Sequence, residues 1–188
     1  MIQLSFEGKS IIALSDTHGK HGELKIPPCD ILIHCGDICT DGDENQISDF
    51  FDWFSASPAK YKLFVSGNHD YPFVFEPLRA INLIPLNIIF MENRIKTIQN
   101  ISFLGLTSQD NLHGIPDIQT KKVDFLLTHV PPKSILDDDS GCPYLSEFVS
   151  ILNPRFHIFG HIHQFGGKKL RKGNTVFINA SCIKTDYP

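Results

Sequence analysis

Leu63-Phe64-Val65-Ser66-Gly67-Asn68-His69-Asp70 is the stretch on which the reading of this chain turns. An apolar run of strand character stops at a glycine, and an amide, an imidazole and a carboxylate follow at once. That ending makes a poor core element. It does hold three polar side chains at the carboxyl edge of a sheet, where open α/β folds place their ligands. The same ending recurs upstream, where Ile11-Ile12-Ala13-Leu14 runs into Ser15-Asp16-Thr17-His18-Gly19 and Ile31-Leu32-Ile33 into His34-Cys35-Gly36-Asp37. Downstream, a strand over Val123 to Thr128 leads to His129-Val130-Pro131-Pro132, and one over Phe156 to Phe159 to Gly160-His161-Ile162-His163. Continuous apolar runs of this length mark strands buried on both faces.

The intervening segments complete an α/β pattern. From Asp43 to Ser55 the spacing is helical, with Ile47, Phe50, Phe51 and Phe54 on one face and Asp41 and Asp43 as candidate caps. Phe73 to Arg79 reads as a short helix behind Pro72. Leu86 to Met91, Arg94 to Ile98 and Ile101 to Leu106 are β-rich runs at hairpin distance, expected to be antiparallel and to open a second sheet. The residues from Gly105 to Val123 are polar and loop-like, and Asp137 to Gly141 reads as a solvated loop. A helix is expected over Pro143 to Leu152 and a closing hairpin over Lys168 to Ile178. Strand, crossover, strand, helix, strand is the rhythm of a parallel sheet. No repeat or linker interrupts it, so one domain over residues 1–188 is expected.

Composition narrows the function. A net charge of −4 offers no electrostatic case for nonspecific nucleic-acid binding. The first residues, Met1 to Lys9, lack a basic region followed by a long apolar run, and no run approaches the roughly 20 residues that span a bilayer. Cys29, Cys35, Cys39, Cys142 and Cys182 show no paired framework and no zinc-finger spacing. A reduced cytoplasmic protein with no membrane partner is the expectation, with the oligomeric state open.

Each polar strand end has an ordinary reading by itself. Asp16-x-His18 is a common cap or turn, Gly36-Asp37 is commonplace, and His129 fits a proline turn. His161 and His163 are more pointed, because alternate residues of an extended segment project the same way. Taken together, Asp, Asn and His at five strand ends offer hard oxygen and borderline nitrogen to divalent first-row metals. Such a set can supply two metal sites with a shared carboxylate, an arrangement suited to in-line displacement at phosphorus.

Asp16-x-His18, Gly36-Asp37, Gly67-Asn68-His69-Asp70, Thr128-His129 and Gly160-His161-x-His163 resemble, in order, the five blocks of the calcineurin-like metallophosphoesterase superfamily. Ser15-Asp16-Thr17-His18-Gly19 and Thr128-His129-x-Pro131-Pro132 resemble its small metallophosphoesterase-domain-containing, class III phosphodiesterase-like branch, whose known members hydrolyse phosphodiesters. The resemblance implies a four-layer αββα sandwich, two mixed β-sheets flanked by helices, with the site at the strand carboxyl ends. It implies two divalent ions, manganese first, with iron, nickel, cobalt or zinc as alternatives. Asp16, His18, Asp37 and His163 would hold one ion and Asp37, Asn68, His129 and His161 the other, with Asp37 bridging. A hydroxide between the ions would attack phosphorus. His69 would face the substrate and help the leaving oxygen, and Asp70 would orient His69.

The implied partner is a small phosphate ester, with a nucleotide as one candidate. A phosphomonoesterase or nuclease of the same fold is the alternative, and a silent protein-binding scaffold a third reading, disfavoured because every ligand position is kept. The arginine that many family members carry after Gly-Asp is missing between Ile38 and Phe54, and Val130 stands where the branch often has glycine. His21, His34 and His157 read as structural, and Asp110, Asn111 and His113 as candidates for the rim of the cleft.

Overall fold

In the computed structural model, which describes residues 1–106 and 122–182, two sheets pack face to face. The first holds β1 (Ile2–Phe6), β2 (Lys9–Leu14), β3 (Cys29–Cys35), β4 (Ala59–Val65) and β5 (Ile88–Phe90) in that order. The second runs β10 (Lys169–Lys172), β11 (Thr175–Asn179), β9 (Phe156–Phe159), β8 (Phe125–Leu127), β7 (Ile101–Gly105) and β6 (Arg94–Ile98). β2 to β5 are parallel, as are β7, β8, β9 and β11; β1, β6 and β10 join antiparallel at the edges.

Side-chain alternation turns these strands into layers. Ile11, Ile31, Ile33, Leu63 and Val65 of the first sheet meet Phe103, Phe125, Leu127, Ile158 and Ile178 of the second in the central core. Ile12, Leu14, Leu32 and Phe64 point the other way, onto Ile47, Phe50, Phe51 and Phe54 of α1 (Glu44–Ala56). On the far side Leu104, Leu126, Phe159 and Phe177 cover Leu145 and Val149 of α4 (Pro143–Leu152). The layers are therefore α, β, β, α. A buried aromatic of this kind contributes about 1.5–3 kcal/mol, and the three phenylalanines of α1 are fully buried.

Several expectations need correction. Ile88–Phe90 is parallel to β4 and closes the first sheet instead of opening the second. The segment before it carries α2 (Tyr71–Phe75) and α3 (Pro77–Ile81), the helical crossover that a parallel pairing requires. The single short helix is two, broken at Glu76 (φ −132°, ψ 51°), where Pro77 disfavours helical geometry in the residue before it. β1 was not expected; its Ile2, Leu4 and Phe6 alternate with polar residues and turn into β2 through Glu7 and Gly8, both at positive φ. Of the two candidate caps, Asp43 receives the backbone N–H of Asn45 (2.8 Å) and Gln46 (3.2 Å); Asp41 serves elsewhere. Asp137 is buried and accepts the N–H of Ser134 (2.9 Å), so only part of its loop is solvated. Asp110, Asn111 and His113 lie outside the described residues. No helix among the described residues is long and apolar enough to cross a membrane.

His21, His34 and His157 are buried among aromatic rings, consistent with structural roles. Thr128 Oγ1 donates to Val130 O at 2.7 Å, so it accepts from His157 Nε2 at 2.9 Å. That leaves His157 Nδ1 bare and without a partner. Burial pushes this imidazole down to about 3. A base whose folded pKa is depressed below its unfolded value of about 6.5 contributes its full stability above pH 6.5 and loses it progressively toward pH 3. Replacing His157 with leucine should therefore flatten the acid limb of stability in metal-stripped protein. The expected difference is about 2 kcal/mol between pH 7 and pH 5, measured by urea unfolding at both. An unchanged pH dependence would mean that His157 is protonated in the folded protein.

Candidate active site

The parallel strands of the two sheets end along a common edge, where Ser15 and Ser181 form an isolated bridge. The loop after β2 runs beside the loop after β3: Asp16 N–H donates to Gly36 O (2.9 Å), His18 N–H to Asp37 O (3.1 Å) and Gly19 N–H to Ile38 O (2.9 Å). Across the sheets, His129 Nδ1 donates to Cys35 O (2.8 Å), and along the second sheet Gly160 N–H donates to His129 O (2.9 Å). Asp16, His18, Asp37 and His161 all take left-handed backbone conformations, with φ between 42° and 67°. Such geometry costs about 1–2 kcal/mol per non-glycine residue. It persists where the surroundings over-determine it, as they do at functional sites. The glycines of the third and fifth blocks have a steric reason: a Cβ on Gly67 would strike the carboxylate and backbone N of Asp37, and one on Gly160 the carboxylate of Asp16.

The strand ends deliver two groups of side chains. Ligand atoms of Asp16, His18 and His163 lie within 4.8 Å of one another, and so do those of Asp37, His129 and His161. Asp37 Oδ2 reaches both groups, at 3.2 Å from His129 Nε2 and 3.8 Å from His18 Nε2. In the first group His163 Nε2 stands 3.2 Å from Asp16 Oδ1 and 3.3 Å from His18 Nε2. Asn68 follows Gly67 on the loop after β4 and is exposed, whereas both carboxylates are buried.

The electrostatics suit a cation. Burial by itself would raise Asp16, but its hydrogen bond with His163 and the charge of His129 hold it well below the usual carboxylate range. Asp37 is likewise held low against burial, chiefly by His129. Burial would depress His129, yet the charge of Asp37 lifts it to about 10. Its Nε2 is buried and has no hydrogen-bond partner. Burial lowers His18, and burial with the charge of His129 lowers His161 to about 4, which leaves neutral rings with available lone pairs. Two buried carboxylates, the neutral imidazoles of His18 and His161, and a His129 nitrogen that faces Asp37 and gives up its proton on binding fit divalent first-row ions.

The loop after β4 departs from expectation at Asp70. Its carboxylate does not meet the His69 ring. Oδ2 accepts the N–H of Asp37 (3.0 Å) and Gly67 (2.8 Å), and Oδ1 those of Ile38 (2.9 Å) and Cys39 (3.3 Å). Asp70 thus fastens the Gly36-Asp37 loop to the Gly67-Asn68-His69 loop. Burial, then the nearby Asp37 charge, pushes it up to about 7. The carboxylate that faces His69 belongs to Asp41: Oδ1 stands 3.2 Å from His69 Nδ1 and accepts the Tyr71 hydroxyl at 3.1 Å. His69 N–H in turn donates to Asp37 Oδ1 (2.9 Å), and its ring packs edge-on with His18 at 5.1 Å.

Two further residues were not singled out from the sequence. Ser181 Oγ donates to Asp16 Oδ2 at 2.6 Å, and Asn179 Nδ2 donates to Gly160 O (3.2 Å) and Ile162 O (2.9 Å), bracing the loop that carries His161 and His163. The signal was present, since Asn179-Ala180-Ser181 is a sixth strand end of the same polar kind.

The model of a family described as calcineurin-like phosphoesterase matches residues 9–165. UPF0046 protein K07C11.7 of Caenorhabditis elegans is 30% identical over 202 residues, which cover 91% of this chain and 69% of that protein. Human metallophosphoesterase domain-containing protein 1 is 28% identical over 218 residues, 94% of this chain and 67% of that protein. Among solved structures, phosphopantetheinyl hydrolase of Mycobacterium tuberculosis aligns over 92% of this chain and 88% of that chain, with a TM-score of 0.68 at 12% identity. TT1561 of Thermus thermophilus covers 92% and 89%, with a TM-score of 0.64 at 15% identity. At such identities the two structures establish a shared fold.

Proposed function

Because this chain belongs to the calcineurin-like phosphoesterase family, whose members are metal-dependent hydrolases of phosphoesters, we propose that it is a phosphodiesterase with a dinuclear centre. The observation that carries this reading is Asp37, one buried carboxylate within reach of both ligand groups. Asp16, His18 and His163 would hold one divalent ion and Asn68, His129 and His161 the other, with Asp37 on both. When bound, the ions supply Lewis-acid neutralisation of the phosphoryl oxygens and an acidified water as nucleophile. The donor set accepts manganese, iron, nickel, cobalt or zinc.

The chain's own residues do the rest. His69 lies beside His18 at the mouth of the centre and gives a proton from Nε2 to the leaving oxygen. Asp41 accepts from Nδ1, which keeps the ring oriented. Asp70 acts one step back, holding the loops of Asp37 and His69 in register. A diester in place of a monoester is supported by the branch, since Ser15-Asp16-Thr17-His18-Gly19 and Thr128-His129-x-Pro131-Pro132 resemble its phosphodiesterase-like members and metallophosphoesterase domain-containing protein 1 is a relative.

Stripping the protein with a chelator and refilling it with Mn²⁺ tests the reading, using an activated aryl phosphodiester beside the matching monoester. Metal-dependent turnover of both, faster for the diester, is expected. A faster monoester would overturn the diester assignment, and turnover of neither would overturn the catalytic one.

A further inference from the structure

The reaction set out above leaves unused an aromatic face that begins at His69. The His69 and Tyr71 rings lie nearly parallel, with centroids 6.3 Å apart and 17° between planes. Tyr71 meets Phe75 edge-on at 6.2 Å. Tyr71 is exposed, and Phe75 is 77% exposed. The Tyr71 ring is held in place. The Tyr71 hydroxyl donates to Asp41 Oδ1, the oxygen that also faces His69 Nδ1. Gly42 backs Tyr71 so closely that a Cβ there would stand 3.1 Å from the Tyr71 Cβ. Between the two exposed rings, Phe73 is buried against Phe51, Phe64 and Phe90 and anchors α2 to the first sheet.

An aromatic pair open to water, its first ring joined to the proton donor through one carboxylate, is a stacking platform. The two rings are themselves uncharged, and the carboxylate beside them is that of Asp41. The nearby cation, Arg79, is engaged by Glu44 (2.8 Å) and Glu76 (3.1 Å), so the face is not built for a second phosphate. We infer that Tyr71 and Phe75 form the leaving-group subsite of this enzyme and select alcohols that carry a flat aromatic ring. The inference rests on the proposed role of His69, because the group whose oxygen His69 protonates must project past that ring. In the step, a water oxygen forms the new bond to phosphorus and releases a proton to solvent. The bond from phosphorus to the leaving oxygen breaks, and its electron pair with the His69 proton leaves as the ring-bearing alcohol.

Phe75 is the place to test this, being exposed and outside the reacting groups. Methyl phosphodiesters with phenyl or 2-naphthyl leaving groups are compared on Mn²⁺-refilled wild type and on Phe75→Ala and Phe75→Trp. Wild type should favour the naphthyl ester. Phe75→Ala should lower its kcat/KM by about tenfold, mainly through KM and with a smaller effect on the phenyl ester, and Phe75→Trp should restore it. In parallel, calorimetry follows binding of non-hydrolysable methylphosphonate esters bearing naphthyl, cyclohexylmethyl, nucleoside or base-free ribose groups. Ring-dependent affinity lost in Phe75→Ala supports the subsite, and the nucleoside arm separates a nucleobase from a simple aryl group as its occupant. Without any turnover, ring-dependent binding would still uphold the subsite while the hydrolysis reading fell. An unchanged naphthyl preference with ring-independent binding would overturn the subsite. So would a Phe75→Ala effect confined to self-association in sedimentation, since a second copy would then be what covers the face.

Discussion

Asp37→Ala should abolish turnover and strip both metal positions at once. Its carboxylate lies within reach of both His18 and His129, so its loss removes a ligand from each cluster. Residues that merely brace a ligand typically contribute 10–100-fold to metal affinity; a shared ligand should exceed that, and activity should fall by more than about 10²-fold. Shape and charge can be separated. Asp37→Asn keeps an oxygen for the His69 N–H, which Asp37 Oδ1 accepts at 2.9 Å, and keeps the packing against Gly67, but it lacks the charge. It too should lose metal, and its chelated form should melt below chelated wild type, because His129 loses the buried charge it faces. Elemental analysis of metal per chain beside the rate decides the matter. Two ions retained by Asp37→Ala at wild-type affinity would break the shared-carboxylate arrangement.

The parts of this site that were legible in the sequence share one physical cause. A parallel strand buried on both faces is written as an unbroken apolar run, so its end is conspicuous, and whatever polar residue follows stands at the edge where ligands gather. Asp16, Asp37, His129 and His161 were visible for that reason. What stayed hidden depends on pairings distant in sequence. Phe90 belongs to the first sheet because it lies beside Phe64, a neighbour that no local pattern announces. β1 is an edge strand of five residues with one face on the core, too short for its alternation to stand out. Asp70 looked like the partner of His69 because it is adjacent in the chain, yet its carboxylate is turned back onto the loop of Asp37. Asp41 looked like a helix cap because it precedes α1, but the cap is Asp43, and the space left at Asp41 is filled by His69 and Tyr71. Adjacency in sequence was misleading in both cases for the same reason: the loops at a sheet edge fold across one another.

His69→Ala should keep both ions and lose rate by about 10²–10⁴-fold, the usual contribution of a positioned acid. Metal retention follows from geometry, since the His69 ring belongs to neither ligand group and touches Asp37 only through its backbone N–H, which alanine preserves. The opposite pattern is expected of Asp70→Ala. Its four backbone donors would be left buried without an acceptor, at about 1–3 kcal/mol each, and the Asp37 and His69 loops would part, so metal should fall along with rate. The assignment of His69 as a proton donor makes a further demand. A leaving group that departs readily as an anion needs little protonation, so the penalty of His69→Ala should be small for a nitrophenyl diester and large for a simple alkyl diester. Asp41→Asn should follow the same leaving-group trend more weakly, because it disturbs the proton on Nδ1 without removing the ring. An equal penalty for good and poor leaving groups would place His69 on the non-bridging oxygens instead, stabilising charge on the phosphoryl group. The slope of rate against leaving-group pKa, in wild type and in His69→Ala, separates the two roles even where the overall losses are alike.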